Sequence, residues 1–408
     1  MGELIDLKIE VLSHGGEGIG RHEKRAIFVP YVIPGEQVRV EIMEEARRFS
    51  RARLVEVLEP SPVRVEPPCP YFGICGGCHL QHIDYPAQVQ LKALIVLDQL
   101  QRIGKFTDPP VLEPIPDDTG WEYRNHIRFH ADVDGGLGFL ALGGQDIIRI
   151  DDCLIAHPLL CQLCASLDLE LPGVDWLELR VGAATGDLMV VLQTEDEEPP
   201  SLEVDFPLSI VQVCHDGASA PLIGLDYIME SVHGREFRIS PTSFYQVNSV
   251  QAARLVDLVL EALELEDDEQ VLDAYCGVGL FTAFMAEVGG FVTGIELSPD
   301  AIADARHNLA GLDNVAILEG KVEALLPTLE QQFDAVIVDP PRGGLELPAL
   351  DALVASGASR LVYVSCDPAT LARDARRLVN GGFTLEWVQP VDLFPQTYHI
   401  ENVALFAR

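Results

Sequence analysis

Apolar and polar positions alternate in short runs over the first 60 residues: Leu7–Leu12, Ala26–Val29, Gln37–Ile42 and Ala52–Leu58. Gly15-Gly16, Gly18, Gly20 and Pro34-Gly35 separate them. A period of two broken by glycine and proline predicts strands joined by tight turns, so residues 1–60 read as a small all-β barrel. Alternation returns at Tyr123–Phe129, Leu137–Leu142, Leu177–Val181 and Leu188–Leu192. These runs predict an antiparallel sheet with hairpins in a middle domain, 61–240, and Glu195–Pro200 reads as a solvated loop within it. From 241 to 408 the pattern changes. Continuous apolar runs (Gln270–Ala274, Phe291–Ile295, Val315–Leu318, Ala335–Val338, Arg360–Ser365) alternate with amphipathic stretches at helical spacing. Phe383–Val391 and Asn402–Phe406 follow, with no room for a helix between them. Continuous apolar strands with helices between them predict a doubly wound α/β domain.

Chemistry-bearing residues stand where these strands end. Leu361–Val364 is a buried strand pattern that stops at Ser365-Cys366. Asp367 is a good N-cap and Pro368 a good first helical residue. Cys366 therefore sits at the mouth of a helix, where the dipole favours thiolate, and is a candidate nucleophile. Asp273-Ala-Tyr275-Cys276-Gly277-Val-Gly279 ends another strand, and its glycines allow a ligand to approach the backbone. Cys276 is the rival nucleophile, read as structural because its loop faces a cofactor. Glu296 ends the next strand and suits ribose hydroxyls. Asp339-Pro340-Pro341-Arg342-Gly343 builds a rigid wall at the switch point of such a sheet.

Composition alters the picture in two places. Nine cysteines in a chain whose start lacks a basic signal-peptide region argue for metal, cluster or catalysis in the cytoplasm rather than disulfides. Cys69, Cys75 and Cys78, spaced Cys-x5-Cys-x2-Cys, can point three thiolates at one centre. A fourth ligand comes from Cys153, Cys161 or Cys164, and the set suits zinc or an iron–sulfur cluster. The formal charge of −36 argues against a protein that coats nucleic acid. Residues 1–64, however, balance 10 Lys and Arg against 11 Asp and Glu. Arg21, Lys24, Arg25, Arg47, Arg48, Arg51 and Arg53 cluster there and suit a phosphate backbone as well as a solvated face. Arg124, His126, Arg128 and His130 alternate on one face of a strand, as the polar side of a half-exposed strand or as the lining of a nucleic-acid channel. No apolar run reaches membrane-spanning length.

The barrel pattern Gly-Gly-Glu-Gly-Ile-Gly-Arg, with Ala-Ile-Phe-Val-Pro and Pro-Gly-Glu, resembles a TRAM domain, an RNA-binding OB-like barrel. Across the whole chain, the cysteine set, Ser240-Pro-Thr-Ser-Phe-Tyr-Gln246-Val-Asn248, Asp273–Phe281, Asp339-Pro-Pro-Arg, Ser365-Cys366-Asp-Pro and Gln396-Thr-Tyr-His399-Ile-Glu401-Asn402 resemble the RNA uracil-5-methyltransferase family. Its branch with a TRAM domain and a [4Fe–4S] cluster is the one that matches. The resemblance implies a seven-stranded Rossmann-like methyltransferase domain beside an α+β central domain. It implies S-adenosylmethionine contacts from Gln246, Tyr275, Gly277, Glu296 and Asp339, and cluster ligation by Cys69, Cys75, Cys78 and Cys153. Cys366 is then the nucleophile and Glu401 the proton acceptor, with His399 as rival base. The implied partner is RNA, ribosomal 23S RNA ahead of transfer RNA, for a cytoplasmic monomer with no DNA or membrane partner. Leu280 and Glu319-Gly-Lys321 depart from the family's usual residues near the cofactor. A cytosine-5 methyltransferase would carry a Pro-Cys motif where this chain has Asp-Pro-Pro-Arg. A non-catalytic iron–sulfur RNA-binding protein would not need Cys366 and Glu401.

Overall fold

The computed structural model describes residues 2–132, 136–144, 146–167, 173–194 and 207–408. The loop expected at Glu195–Pro200 lies outside them.

Five strands, β1 (Leu4–Leu12), β2 (Gly18–His22), β3 (Arg25–Val29), β4 (Gln37–Glu45) and β5 (Phe49–Glu59), close into a barrel in the order β1-β2-β3-β5-β4. The alternation is the cause: Ile5, Leu7, Ile9, Ile27, Val29, Val38, Val40 and Ala52 all point inward and form one core. Glycine is required where strands cross closely. A Cβ on Gly20 would come within 2.4 Å of the Lys8 carbonyl oxygen.

After the cysteine segment comes α1 (Tyr85–Arg102), then β6 (His126–Ala131), β7 (Leu137–Leu140), β8 (Ile147–Ile148), α2 (Pro158–Ser166), β9 (Val174–Val181), β10 (Leu188–Thr194), β11 (Ser209–Cys214) and β12 (Ser219–Ile223). These strands form a sheet in the order β12-β11-β10-β9-β6-β7-β8. It is antiparallel as expected except at β10 and β11, which run parallel. A hairpin of β13 (Ile228–Val232) and β14 (Arg235–Ile239) leads into α3 (Ser249–Leu263).

The last unit holds β15 (Gln270–Ala274), α4 (Leu280–Glu287), β16 (Phe291–Glu296), α5 (Pro299–Asn308), β17 (Val315–Glu319), α6 (Val322–Leu325), β18 (Ala335–Val338), α7 (Leu347–Ala355), β19 (Arg360–Ser365), α8 (Pro368–Asn380), β20 (Thr384–Val391) and β21 (Glu401–Ala407). Its sheet order is β17-β16-β15-β18-β19-β21-β20. β15 to β19 are parallel, and β21 runs antiparallel to β19 and to β20. All seven apolar runs of the C-terminal third became these strands. The inner strands β15, β16, β18 and β19 are buried almost throughout, which is why their signal was continuous, whereas the edge strands β17 and β20 are only partly buried.

The two faces are covered by separate cores. One of them includes Val96 and Leu100 of α1 beside Leu361, Tyr363, Leu371 and Ala372. Residues 111 and 115 also bridge in parallel to Val388 and Val391 at the sheet edge. The segment around α1 is thus built into the α/β sheet, although it precedes that sheet by well over 100 residues in the chain.

Candidate active site

Parallel strands bring their carboxyl ends to one edge, and an antiparallel neighbour brings its start there. Asp273 lies one residue before the end of β15, Asp339 follows β18, Cys366 follows β19 and Glu401 opens β21. Above that edge lies a cleft of about 1350 Å³. Gln246, Tyr275, Gly277, Glu296, Asp339, Cys366 and Glu401, the seven residues assigned to chemistry and cofactor in the sequence, all line it.

Register decides which of them meet. Ser365 stands opposite Asn402 in the β19–β21 pair, and Asn402 Nδ2 donates to the Ser365 carbonyl at 3.2 Å. One step along, Cys366 and Glu401 follow from the same register at the cleft edge. Opposed residues of an antiparallel pair project to one face. Asp367 caps α8 with Oδ1 accepting from the Ala369 and Thr370 amides at 2.9 and 2.8 Å.

The loop expected to meet the cofactor, residues 275–279, is shaped by backbone conformation. Tyr275, Gly277 and Gly279 all have φ in the left-handed region, at 72°, 53° and 86°. Such a conformation is costly for tyrosine and marks a constrained functional loop. A Cβ on Gly277 would meet nothing within 4 Å, so the loop leaves free space at that point. Glu296 Oε2 accepts from the Gly277 amide at 3.0 Å, and Oε1 from the Leu297 and Ser298 amides at 2.7 Å each.

Charge is the unusual feature. Asp273 is 1% exposed, accepts from the Thr282 hydroxyl and leaves Oδ1 without a partner. Burial, with Glu296 adding, pushes its carboxyl up to about 7. Burial and then Asp273 push Asp339 to about 7. Burial and then Asp339 hold Glu401 well above the usual carboxylate range. The expectation of a thiolate at Cys366 is reversed here. Burial, then Glu401 and Asp339, push the thiol up to about 12, outweighing the helix mouth and Arg342. A helix dipole contributes about half a charge at its end, whereas each carboxylate brings a whole one.

Cys276 is buried, and a Cβ on Gly294 would lie 2.9 Å from its Sγ, so it packs against β16. His399 lines the cleft with its ring against Tyr398 at 4.2 Å. Burial and nearby cations, Arg342 foremost, push it down to about 3, so it is neutral at physiological pH.

Arg124, His126, Arg128 and His130 also line the cleft. Arg128 lies 4.2 Å over the Trp176 ring. Of the barrel arginines, Arg25, Arg51 and Arg53 pair with Glu45, Glu17 and Glu41, while exposed Arg47 and Arg48 form no ion pair among the described residues. The barrel also touches the catalytic edge, with His14 3.7 Å from Asp367. One cleft residue, Phe244 (68% exposed), was not singled out in the sequence, although it lies inside a motif that was.

Cys78 and Cys153 pack beside Tyr123, Ile155 and Val247. Burial first, then Cys153, Cys75 and Cys69, push the Cys78 thiol to about 12. Cys75 is raised by burial and by Cys69, and Cys153 by burial and by Cys75. The four sulfurs are therefore electrostatic neighbours. Among the described residues no three His, Cys, Asp or Glu side chains gather closely enough to hold a single metal ion.

A family model for tRNA (Uracil-5-)-methyltransferase matches residues 222–408, and a TRAM domain model matches 1–55. An uncharacterized RNA methyltransferase of Halalkalibacterium halodurans is 37% identical over 99% of this chain and 96% of its own length. One from Streptomyces avermitilis is 36% identical over 99% of this chain and 98% of its own. The chain belongs to the RNA (uracil-5-)-methyltransferase family. Among solved structures, a Pyrococcus abyssi tRNA (uracil-54, C5)-methyltransferase in complex with S-adenosyl-L-homocysteine covers 99% of this chain and all of its own, at 27% identity and a TM-score of 0.78.

RNA (uracil-5-)-methyltransferases use S-adenosylmethionine, whose methyl group sits on a cationic sulfonium. The residues present fit such a ligand: free space at Gly277, an unpartnered Asp273 oxygen and three buried carboxyls poised to ionise beside a cation. Raised acids bind their protons below about pH 7 and release them above it, so the empty site gains negative charge as pH rises through 7. S-adenosylhomocysteine lacks the sulfonium charge and serves as the control. Titration calorimetry from pH 6 to 8 is expected to show S-adenosylmethionine gaining roughly tenfold over S-adenosylhomocysteine, the equivalent of one pKa unit. A ratio that stays flat over that range contradicts this electrostatic picture.

Proposed function

We propose that this enzyme converts a uridine of 23S ribosomal RNA to 5-methyluridine, with Cys366 as nucleophile and Glu401 as base. The observation that carries the reading is the β19–β21 register, from which Cys366 and Glu401 follow as neighbours at the cleft edge. Gln246, Tyr275, Gly277, Glu296 and Asp339 would hold the methyl donor.

Carbon 5 of uracil is a weak nucleophile. Addition of the Cys366 sulfur to carbon 6 pushes the π electrons onto carbon 5 and the carbon 4 carbonyl as an enolate. Carbon 5 then takes the methyl group. Glu401 removes the proton left on carbon 5, those electrons re-form the 5,6 double bond, and the carbon–sulfur bond breaks to return the thiolate. A positive charge held in the cleft favours the ionised forms of Cys366 and Glu401, so the groups ionise when the donor is in place. A positioned base of this kind contributes roughly 10²–10⁴-fold. The target base must leave its stack at a cost of roughly a few kcal/mol. The Arg124–His130 row and the barrel's Arg47 and Arg48 are suited to grip the flanking strand.

We also read Cys69, Cys75, Cys78 and Cys153 as ligands of a [4Fe–4S] cluster. The electrostatic proximity of these sulfurs, with Cys69 and Cys153 both acting on Cys78, favours this donor set. Bound there, the cluster would cross-link the cysteine loop to Cys153. Protein purified without oxygen is expected to carry iron and acid-labile sulfide in equal amounts; stoichiometric zinc without iron contradicts the cluster.

The barrel and cysteine set favour ribosomal RNA, as the resemblance implies. A tRNA reading is supported by the Pyrococcus abyssi protein, whose likeness spans the whole chain. Action as a cytoplasmic monomer belongs to the same proposal. Labelled methyl transfer to unmodified 23S ribosomal RNA and to transfer RNA, followed by mass mapping of 5-methyluridine, tests the choice. We expect one labelled uridine in 23S RNA. Label in transfer RNA alone overturns the substrate assignment, and label at cytosine overturns the reaction.

A further inference from the structure

Hairpin loops ordinarily face solvent. The connection between β20 and β21, residues 392–400, does not: Asp392, Leu393, Pro395, Gln396, Thr397 and Ile400 are buried. It also supplies Phe394, Thr397 and His399 to the cleft immediately before Glu401.

What buries it is the segment around α1. Lys92 is fully buried, and its ammonium donates to Asp392 Oδ1 at 2.6 Å and to the Phe394 carbonyl at 3.0 Å. Tyr123 Oη donates to the Pro395 carbonyl at 2.9 Å. Gln396, with φ at 67°, is joined at every polar group. Its amide N–H donates to Gln88 Oε1 at 3.2 Å, and its Oε1 accepts from Gln88 Nε2 at 2.9 Å. Its Nε2 donates to the Gly120 carbonyl at 3.3 Å. Its carbonyl accepts from the His79 and Leu80 amides, the residues that follow Cys78, at 2.8 and 3.0 Å. A non-glycine residue persists in the left-handed region when its surroundings over-determine it.

We propose that Gln88 and Lys92 of α1 are positioning residues that lock the 392–400 loop through Gln396 and Asp392, and so set where Glu401 meets the substrate proton. The inference rests on Glu401 as the base. The lock acts on the last step, removal of the carbon 5 proton with expulsion of the thiolate, and leaves nucleophilic addition to β19 and α8. Weakening it therefore stalls the enzyme after methyl transfer, with methylated RNA still joined to Cys366.

The test uses the full chain, total RNA from cells lacking the enzyme and S-adenosylmethionine labelled in its methyl group. Gln88→Met deletes the paired amide. Gln396→Gly deletes it from the other side with a backbone that accepts φ above zero freely, so it covers a Gln88→Met protein that does not fold. Each variant is expected to turn over about 10²-fold more slowly, the effect of roughly 1 Å of misplacement. S-adenosylhomocysteine affinity should hold at the wild-type value while labelled protein–RNA adduct accumulates under denaturing conditions. Wild-type turnover in both variants overturns the proposal, as does slow turnover without adduct. Glu401→Gln runs alongside: its failure to accumulate adduct removes the base assignment itself, whereas adduct in Glu401→Gln and none in the lock variants removes only the lock.

Discussion

The burial of acidic groups at the carboxyl edge of the parallel sheet is the constraint on which the site depends. Asp273, Asp339 and Glu401 are withdrawn from water at that edge, and each raises the next along it. A group of this kind gives no stability at neutral pH, because the unfolded chain ionises more readily than the folded one. Groups arranged at such a cost mark a site rather than a support. The arrangement suits a ligand that brings its own positive charge, and it keeps the Cys366 thiol protonated until that charge is present. A thiol held protonated is also protected from stray alkylation and oxidation.

The rest of the fold holds those groups in place. The single antiparallel strand, β21, delivers Glu401 to an edge otherwise made of strand ends, and its register sets the proposed base beside the proposed nucleophile. The loop before it is held by an ion pair and an amide pair from α1. The cysteine loop bonds to the same place through His79 and Leu80. The barrel reaches the edge as well, where His14 approaches Asp367. Barrel, cysteine loop and sheet edge are therefore in contact around Cys366 and Glu401.

Much of this was legible in the sequence. The C-terminal strands were, because burial of the inner ones on both faces leaves an unbroken apolar run, and the N-terminal barrel was, because glycines punctuate a period of two. Cys366 and its cap were legible because strand, N-cap and proline are local signals. Its ionisation was not: the carboxylates that raise it come from residues 339 and 401, and local reading sees only the helix mouth. Alternation placed Arg124, His126, Arg128 and His130 on one face but could not say that this face looks into the cleft. Nor could spacing join Lys92 to Asp392, 300 residues apart, so α1 read as part of a middle domain rather than of the catalytic sheet.

The central claim is that Cys366 attacks carbon 6 of a uracil in RNA. Incubation with S-adenosylmethionine and 5-fluorouridine-substituted 23S ribosomal and transfer RNA, followed by nuclease and protease digestion and mass spectrometry, tests it most directly. Fluorine at carbon 5 leaves no proton for the base to take, so the account predicts a stable adduct of methylated fluorouridine on the peptide containing Cys366. An adduct on Cys276, or one that persists in Cys366→Ala, would contradict it.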